Sequence, residues 1–437
     1  MIGRLKFFVC LLILLSVVGS TPASFGGGEQ EKVAQPLRWR GGPVQIAVST
    51  SLTGQAPNIV RGSDVEGAVR RSFQTWQRYV DFEFVTISSH KQSISPAGAR
   101  GDGLSLITIA GTEENTLFFS NDLQESAAAT RVFYDKRGFI TEADIALSPF
   151  QQFSTNGSEG SFDLESTLTH EIGHLLGLDH SDVLGATMHE KYGKNGAYGL
   201  SSYSARTLSL ADISALQRLY GARGVAACCP KIAGSLISAD GVEREWQVWA
   251  EDSQTGQVRA IVPADKDGNF SFAGLTGGSV SLFAQERSGE FVSKGELGTV
   301  TTSNSDPASI GKKVQTETGK FKLEYLGFNS QLSDIVVTLN PGNIYKIFLG
   351  GQNLDPKKMV VGFTSPYLSV DRSTAENVDF GPDVTVIKFD VRVDPRTPPG
   401  DYTVFVSGPD GMKRFIVGGF TVEGAPSPFP QFSLASY

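Results

Sequence analysis

The chain has 437 residues, 40% of them hydrophobic, and a formal net charge of −8. That apolar content suffices for several packed domains. The moderate acidity argues against nucleic acid or an anionic membrane surface as partner.

Residues 1–24 have the pattern of a secretory signal peptide. Arg4 and Lys6 give a basic start, Phe7 to Val18 an apolar core, and small residues follow to Ala23 and Ser24. The core is short for a membrane span, and no lipobox precedes Cys10. Removing two positive charges with this segment takes the net charge from −8 to about −10. No later segment is apolar enough to cross a bilayer, so the mature chain is expected to be soluble and secreted, with the periplasm as the alternative. A first strand is expected at Val44 to Val48 and a helix over Ser63 to Tyr79. Ser63 and Glu66 form a capping-box pattern, and Val65, Val69, Phe73, Trp76 and Val80 mark the apolar face. Leu106 to Ala110 reads as a buried strand. Ile140 to Leu147 reads as another, after a turn at Lys136-Arg137-Gly138.

Three of the five histidines fall within His170-Glu171-Ile172-Gly173-His174-Leu175-Leu176-Gly177-Leu178-Asp179-His180. A helix from Asp163 to Leu176 puts Leu164, Leu168, Ile172, Leu175 and Leu176 on one stripe, with Asp163 as N-cap. His170 and His174 then lie one turn apart on another face, where both imidazoles can reach one ion. Gly177 ends the helix and lets the chain bring back His180. Three protein ligands leave one tetrahedral position open, as a catalytic zinc needs. Glu171, beside the ligands but not one of them, is the expected general base and acid.

The string matches H-E-x-x-H-x-x-G-x-x-H, the zinc signature of the metzincin peptidases, and its surroundings resemble the matrixin branch. Met188 resembles the methionine of the Met-turn, which in that family supports the zinc site without binding the metal. Some metzincins carry a tyrosine ligand two residues after that methionine. Here Glu190 stands there and Tyr192 lies two further on, which disfavours those branches. His189 is expected at the surface. Ser72 to Trp76, Phe82 to Phe84, and Gly138 to Ile145 resemble further matrixin elements. So does the closing helix Leu208 to Gly221, capped by Ser209 and lined by Ile213, Leu216 and Tyr220. The resemblance covers roughly residues 38–222. It implies an α+β domain with a twisted, mixed five-stranded sheet and three helices. It also implies an edge strand that pairs with extended substrate, assigned to Ile145 to Ser148.

Two departures separate the chain from the animal enzymes. Their second, structural zinc needs several histidines before the catalytic helix, and only His90 is present, expected in a loop. Their cysteine switch needs a propeptide cysteine, and none lies between the cleavage site and the first strand. Asp102, Asp122, Asp135 and Asp144 offer oxygen ligands that leave calcium open, although their spacing fits no calcium loop.

Residues 223–230 read as a linker. Its adjacent Cys228 and Cys229 can form a strained ring, an intermolecular bond or free thiols. Beyond Pro230 the helical period gives way to short alternating runs. Residues 231–300 resemble a carboxypeptidase regulatory-like β-sandwich. Asp265, Asp267 and Asn269 belong to a hairpin turn there, since Thr276 stands where an EF-hand needs glutamate. Residues 318–423 resemble an immunoglobulin-like sandwich, with Tyr402 placed for a corner hydrogen bond. Residues 424–437 read as a loosely ordered tail. Such modules serve as spacers, adhesion units or docking arms, for example toward a surface or matrix polymer.

The expected whole is multidomain: a zinc metalloendopeptidase acting on protein or peptide, then two all-β sandwiches. His170, His174 and His180 are its metal ligands, Glu171 its acid–base and Met188 its support. The rival is an extracellular adhesion protein with an inactive peptidase domain. Metal content and chelator sensitivity distinguish the two.

Overall fold

The computed structural model describes residues 18–20, 24–25, 36–54, 56–98, 100–119, 126–200, 204–225, 229–302 and 308–424. Most of the signal segment, Cys10, Asp122, Cys228 and the tail after 424 lie outside the described residues.

The first unit is built from β1 (Val44–Ser49), α1 (Val65–Gln77), β2 (Phe84–Ser89), β3 (Ser105–Thr108), β4 (Ala128–Tyr134), β5 (Ile140–Leu147), α2 (Leu164–Leu175) and α3 (Leu210–Tyr220). The strands lie in the order β4-β5-β3-β1-β2, with Ser24–Phe25 beyond β4. All main pairings are parallel except β4 with β5, giving the expected mixed sheet. Helix α1 buries Val69, Phe73 and Trp76, the stripe that its spacing implies. Its N-cap is Asp64, which accepts from Gly67 N at 3.0 Å, rather than Ser63, whose hydroxyl accepts from Thr155 N at 3.2 Å. Either side chain is a good cap, and tertiary partners decide between them. Trp76 Nε1 donates to Thr169 O at 2.8 Å and Ser72 Oγ to Glu165 O at 3.1 Å, which locks α1 against α2.

The edge-strand assignment needs correction. β5, which contains Ile145, is paired on both sides, by β3 and by β4. The strand at that side of the sheet is β4, which the sequence pattern did not reveal. Both strands are almost wholly buried, so neither alternates between apolar and polar residues, and strand order is a long-range property.

Two sandwiches follow. In the first, Asn269–Phe272, Ile232–Ser238 and Ala308–Val314 face a sheet of Val258–Pro263, Trp246–Asp252, Gly278–Glu286 and Glu296–Thr302. Ala308–Val314 pairs in parallel with Ile232–Ser238, so this module extends past the boundary expected at residue 300. Its final strand is polar and half-exposed, which hid it from a hydrophobic reading. Asp265 to Asn269 forms a tight turn, with Asp265 Oδ1 accepting from Asn269 N at 2.8 Å, but it links strands of the two facing sheets and is not the hairpin expected. In the second sandwich, sheets of five and four strands enclose a core that includes Phe389, Val391, Tyr402, Val404 and Phe420. Tyr402 Oη donates to Pro398 O at 2.6 Å, the corner bond that its position suggested. Cys229 is disulfide-bonded, so it is not a free thiol.

The three units are not strung loosely. Val183, Ala186 and Ala211 of the first, Trp249, Val258 and Phe283 of the second, and Phe415 and Val417 of the third form one shared apolar cluster. Trp249 stacks on Phe283 at 5.4 Å and meets Phe415 edge-on at 5.0 Å. Among the acids buried in the sandwiches, burial pushes both Asp401 and Glu251 up to about 7. Asp212 on α3 adds repulsion to Asp401. A carboxyl whose folded pKa is raised contributes stability that is full below its unfolded pKa and lost as pH rises through the folded value. Asp401→Asn should therefore melt several degrees above the wild type at pH 8, the gap shrinking as pH falls towards 4. Thermal unfolding across that range checks this; a gap independent of pH would show that folding leaves the Asp401 pKa unchanged.

Candidate metal centre

Helix α2 carries the histidine string. Asp163 caps it, accepting from Ser166 N at 2.9 Å, and Arg206 forks onto the same carboxylate. Every residue of α2 is buried, the polar face included. Sheet and α1 cover one side; the segments after the helix cover the other. Gly177 has φ +91°, and a Cβ there would lie 2.3 Å from Leu37 O. Only glycine satisfies both demands, and the turn it makes returns the chain to His180.

The three imidazoles converge. His174 Nε2 lies 3.0 Å from His170 Nε2 and 3.1 Å from His180 Nε2. Three nitrogens at zinc-bond length in a tetrahedral shell would be roughly 3.3 Å apart. The histidines are the one group of three or more metal-ligating side chains found within bonding reach among the described residues. His170 Nδ1 donates to Thr187 O at 2.7 Å and His174 Nδ1 to Leu178 O at 2.8 Å. These bonds place the proton on Nδ1 and leave each Nε2 lone pair aimed at the common centre. Burial and the neighbouring imidazoles push His170 well below its usual value and His174 to about 3, so both are neutral donors at pH 7. The residues present therefore fit a zinc ion.

Glu171 is fully buried beside them. Thr130 Oγ1 on β4 donates to its Oε2 at 2.5 Å, while Oε1 has no hydrogen bond among the described residues. Burial pushes the carboxyl up to about 8, partly offset by the Thr130 bond. A cation held by the histidines would favour the ionised form. A carboxyl balanced this way can accept and return a proton near neutral pH.

Met188 is 1% exposed and lies under α2. A Cβ on Gly173 would meet Met188 Sδ at 2.1 Å and Trp76 Cζ2 at 2.9 Å, so the helix must lack a side chain there. Asp212 anchors this turn from α3. Its carboxylate accepts from Thr187 N at 2.8 Å, Met188 N at 3.1 Å and Ser209 N at 2.9 Å. The same carboxylate thus caps α3 and holds the carbonyl partner of His170 in place.

The remaining expectations fare unequally. His90 is exposed just after β2. His189 is not a plain surface residue: it is half-buried, its Nδ1 donates to Ser181 O at 3.0 Å, and burial lowers its pKa. Glu190 is exposed, whereas the Tyr192 ring packs 5.7 Å from His170 and its hydroxyl is buried. Calcium finds no support among the described residues: of the acids that left it open, Asp122 lies outside them, and Asp102, Asp135 and Asp144 form no metal-ligating group. Asp102 pairs with Lys91, Asp135 with Arg40, and Asp144 accepts from Ser95 N and Leu106 N inside the core. Sequence reasoning missed Thr130, which sits on the unrecognised strand. It also missed Asp212, visible only as the third residue after a helix-capping serine.

The family model for matrixins matches residues 39–221. This segment is matrixin-like, and the match covers less than half of the chain. Its relatives include metalloendoproteinase 1-MMP of Arabidopsis thaliana, 30% identical over 173 residues covering 38% of this chain and 40% of that protein. Matrilysin of Mus musculus is 35% identical over 40% of this chain and 56% of its own length. Interstitial collagenase of Oryctolagus cuniculus is 24% identical over 47% of this chain and 38% of its own length. The chain therefore spans about two-fifths to a little over half of these relatives. The histidine cluster, Glu171 and Met188 all lie within the matched segment.

Proposed function

We propose that the chain is a secreted zinc-dependent endopeptidase. The observation that carries this reading is a single constellation: three Nε2 atoms within bonding reach of one ion, beside a buried carboxylate with one oxygen unengaged. His170, His174 and His180 would hold the zinc. When bound, zinc supplies Lewis acidity toward a peptide carbonyl and lowers the pKa of water.

The protein's own groups supply the rest. Thr130 fixes Glu171 through Oε2, so Oε1 is the atom that takes a proton from the attacking water and later returns it to the leaving amine. β4, which carries Thr130, is the outermost long strand on its side of the sheet, where an extended peptide would add by main-chain hydrogen bonds. The outer side of β4 already accepts a short segment of the same chain at Arg131 and Val132, which supports this reading. Ser24–Phe25 runs alongside β4, and Val18–Ser20 pairs antiparallel with Lys191–Gly193. Export rests on the basic–apolar–small pattern of residues 1–24. No helix among the described residues is long and apolar enough to cross a membrane.

Metal analysis with a casein or gelatin assay tests the reading. One zinc per chain is expected, with hydrolysis lost to a chelator and restored by zinc. Binding of zinc without cleavage across a broad peptide library would instead favour a non-catalytic binding role.

A further inference from the structure

His170 and His174 take their spacing from α2, but His180 lies beyond the end of that helix, half-buried. Its place depends on what holds the segment leading on to Met188. That segment is closed at its base, where Ser181 N donates to Met188 O at 2.8 Å. Its tip leaves the first unit and seats in the second sandwich. Leu184 N donates to Val417 O at 2.9 Å, on the strand Lys413–Val422. Val183 is fully buried against Gly418, where a Cβ would lie 2.3 Å from Val183 Cγ1. Gly185 rests on a fixed pair, since the Thr421 hydroxyl donates to Asp401 Oδ1 at 2.6 Å. A Cβ on Gly185 would lie 2.3 Å from Asp401 Oδ1 and 2.5 Å from Thr421 Oγ1. A close-packed interior has no slack for that approach, so even a methyl group must displace the segment or the pair.

The chain on the other side of Met188 is held by the same module. Tyr198 is 2% exposed and belongs to that sandwich's apolar core. Its Oη donates to Leu326 O at 3.2 Å, with Ile335 O 3.3 Å away, and Asn329 Nδ2 donates to its carbonyl at 2.7 Å. Nearer the histidines, Lys191 Nζ pairs with Asp334 at 2.6 Å. The chain before Met188 and the chain after it thus each send a tip into one sandwich. The third ligand and the methionine are set between these two anchors.

We infer that the second sandwich is a working part of the metal centre: Asp401, Thr421 and the Val417–Gly418 backbone position His180 for ligation. These are positioning groups, which act on the metal only through the Ser181–Thr187 segment. The terminal module is then no detachable spacer, and zinc affinity follows the fit of Gly185 against the Asp401–Thr421 pair. The inference deepens the zinc reading and rests on it. Its test needs no turnover.

A mutant cycle on the full-length protein, read by competitive zinc titration, tests the fit. Gly185→Ala should weaken zinc binding at least tenfold. In the background Asp401→Ala/Thr421→Ala, where both opposing oxygens are gone, the same substitution should weaken it less than threefold. Cobalt(II) in place of zinc gives a second readout, because its visible spectrum follows coordination geometry. Gly185→Ala should alter that spectrum, and the cleared background should restore it. A merely structural role would lower the melting point and leave the spectrum alone. An unaltered spectrum, or an equal effect of Gly185→Ala in both backgrounds, overturns the inference and leaves the zinc reading standing. If Gly185→Ala does not fold, the wild type decides by hydrogen exchange in a denaturant series. Zinc should leave as the strand Lys413–Val422 opens, and zinc retained after that strand has opened overturns the inference. A wild type that binds no zinc overturns both.

Discussion

Glu171→Ala should keep one zinc per chain and lose at least about a thousandfold in peptide hydrolysis, within the range that general acid–base catalysis supplies. The three histidines keep their own supports in that variant, because Thr187 O and Leu178 O, not Glu171, orient His170 and His174. The fold should tolerate the change too. Removing a fully buried carboxyl raised to about 8 relieves a desolvation cost, and the one bond lost is that from Thr130. Metal analysis with a cleavage assay separates the outcomes. Loss of zinc along with activity would make Glu171 a structural element of the site. Hydrolysis at the wild-type rate would remove it from the mechanism.

Asp212→Ala should be the most destabilising single change around the centre, by about 4 kcal/mol, and should weaken zinc binding as well. The carboxylate is 1% exposed and accepts from three backbone N–H groups and the Ser209 hydroxyl. Alanine leaves Thr187 N and Met188 N buried without acceptors, at about 1–3 kcal/mol each, and removes a helix cap. Once the turn loosens, Thr187 O no longer holds His170 in its ligating tautomer. Denaturant unfolding and a competitive zinc titration measure the two effects. A stability loss with unchanged zinc affinity would show that the turn holds the histidine by packing alone.

Much of the centre was legible beforehand because it is local. His170, Glu171 and His174 share one helix, and Gly177 redirects the chain to His180 within six residues, so spacing alone brings ligands and base together. Asp163 and Ser209 cap the helices as their positions imply. What escaped was the surrounding support. Thr130 reaches Glu171 from a strand 41 positions away, and that strand's uninterrupted burial leaves no alternating pattern to detect. The same blindness put the sheet edge at Ile145 instead of β4. Asp212 serves Met188 across 24 positions, a link that no local period encodes.

The sequence by itself determined the chemistry: a histidine string on an amphipathic helix, a carboxylate beside it, a methionine after it, and a change of period near Pro230 that announces β-modules. Periodicity and turn chemistry act over a few residues, so these features survive reading in one dimension. Only the tertiary structure decided how the parts bear on one another. It buried Trp249, Phe283 and Phe415 against the underside of the Met-turn segment. It also drew Tyr198 out of the loop beside the metal centre and into the core of the last sandwich. Both depend on apolar surfaces more than fifty residues apart finding each other, and burial of that kind leaves no period in the chain.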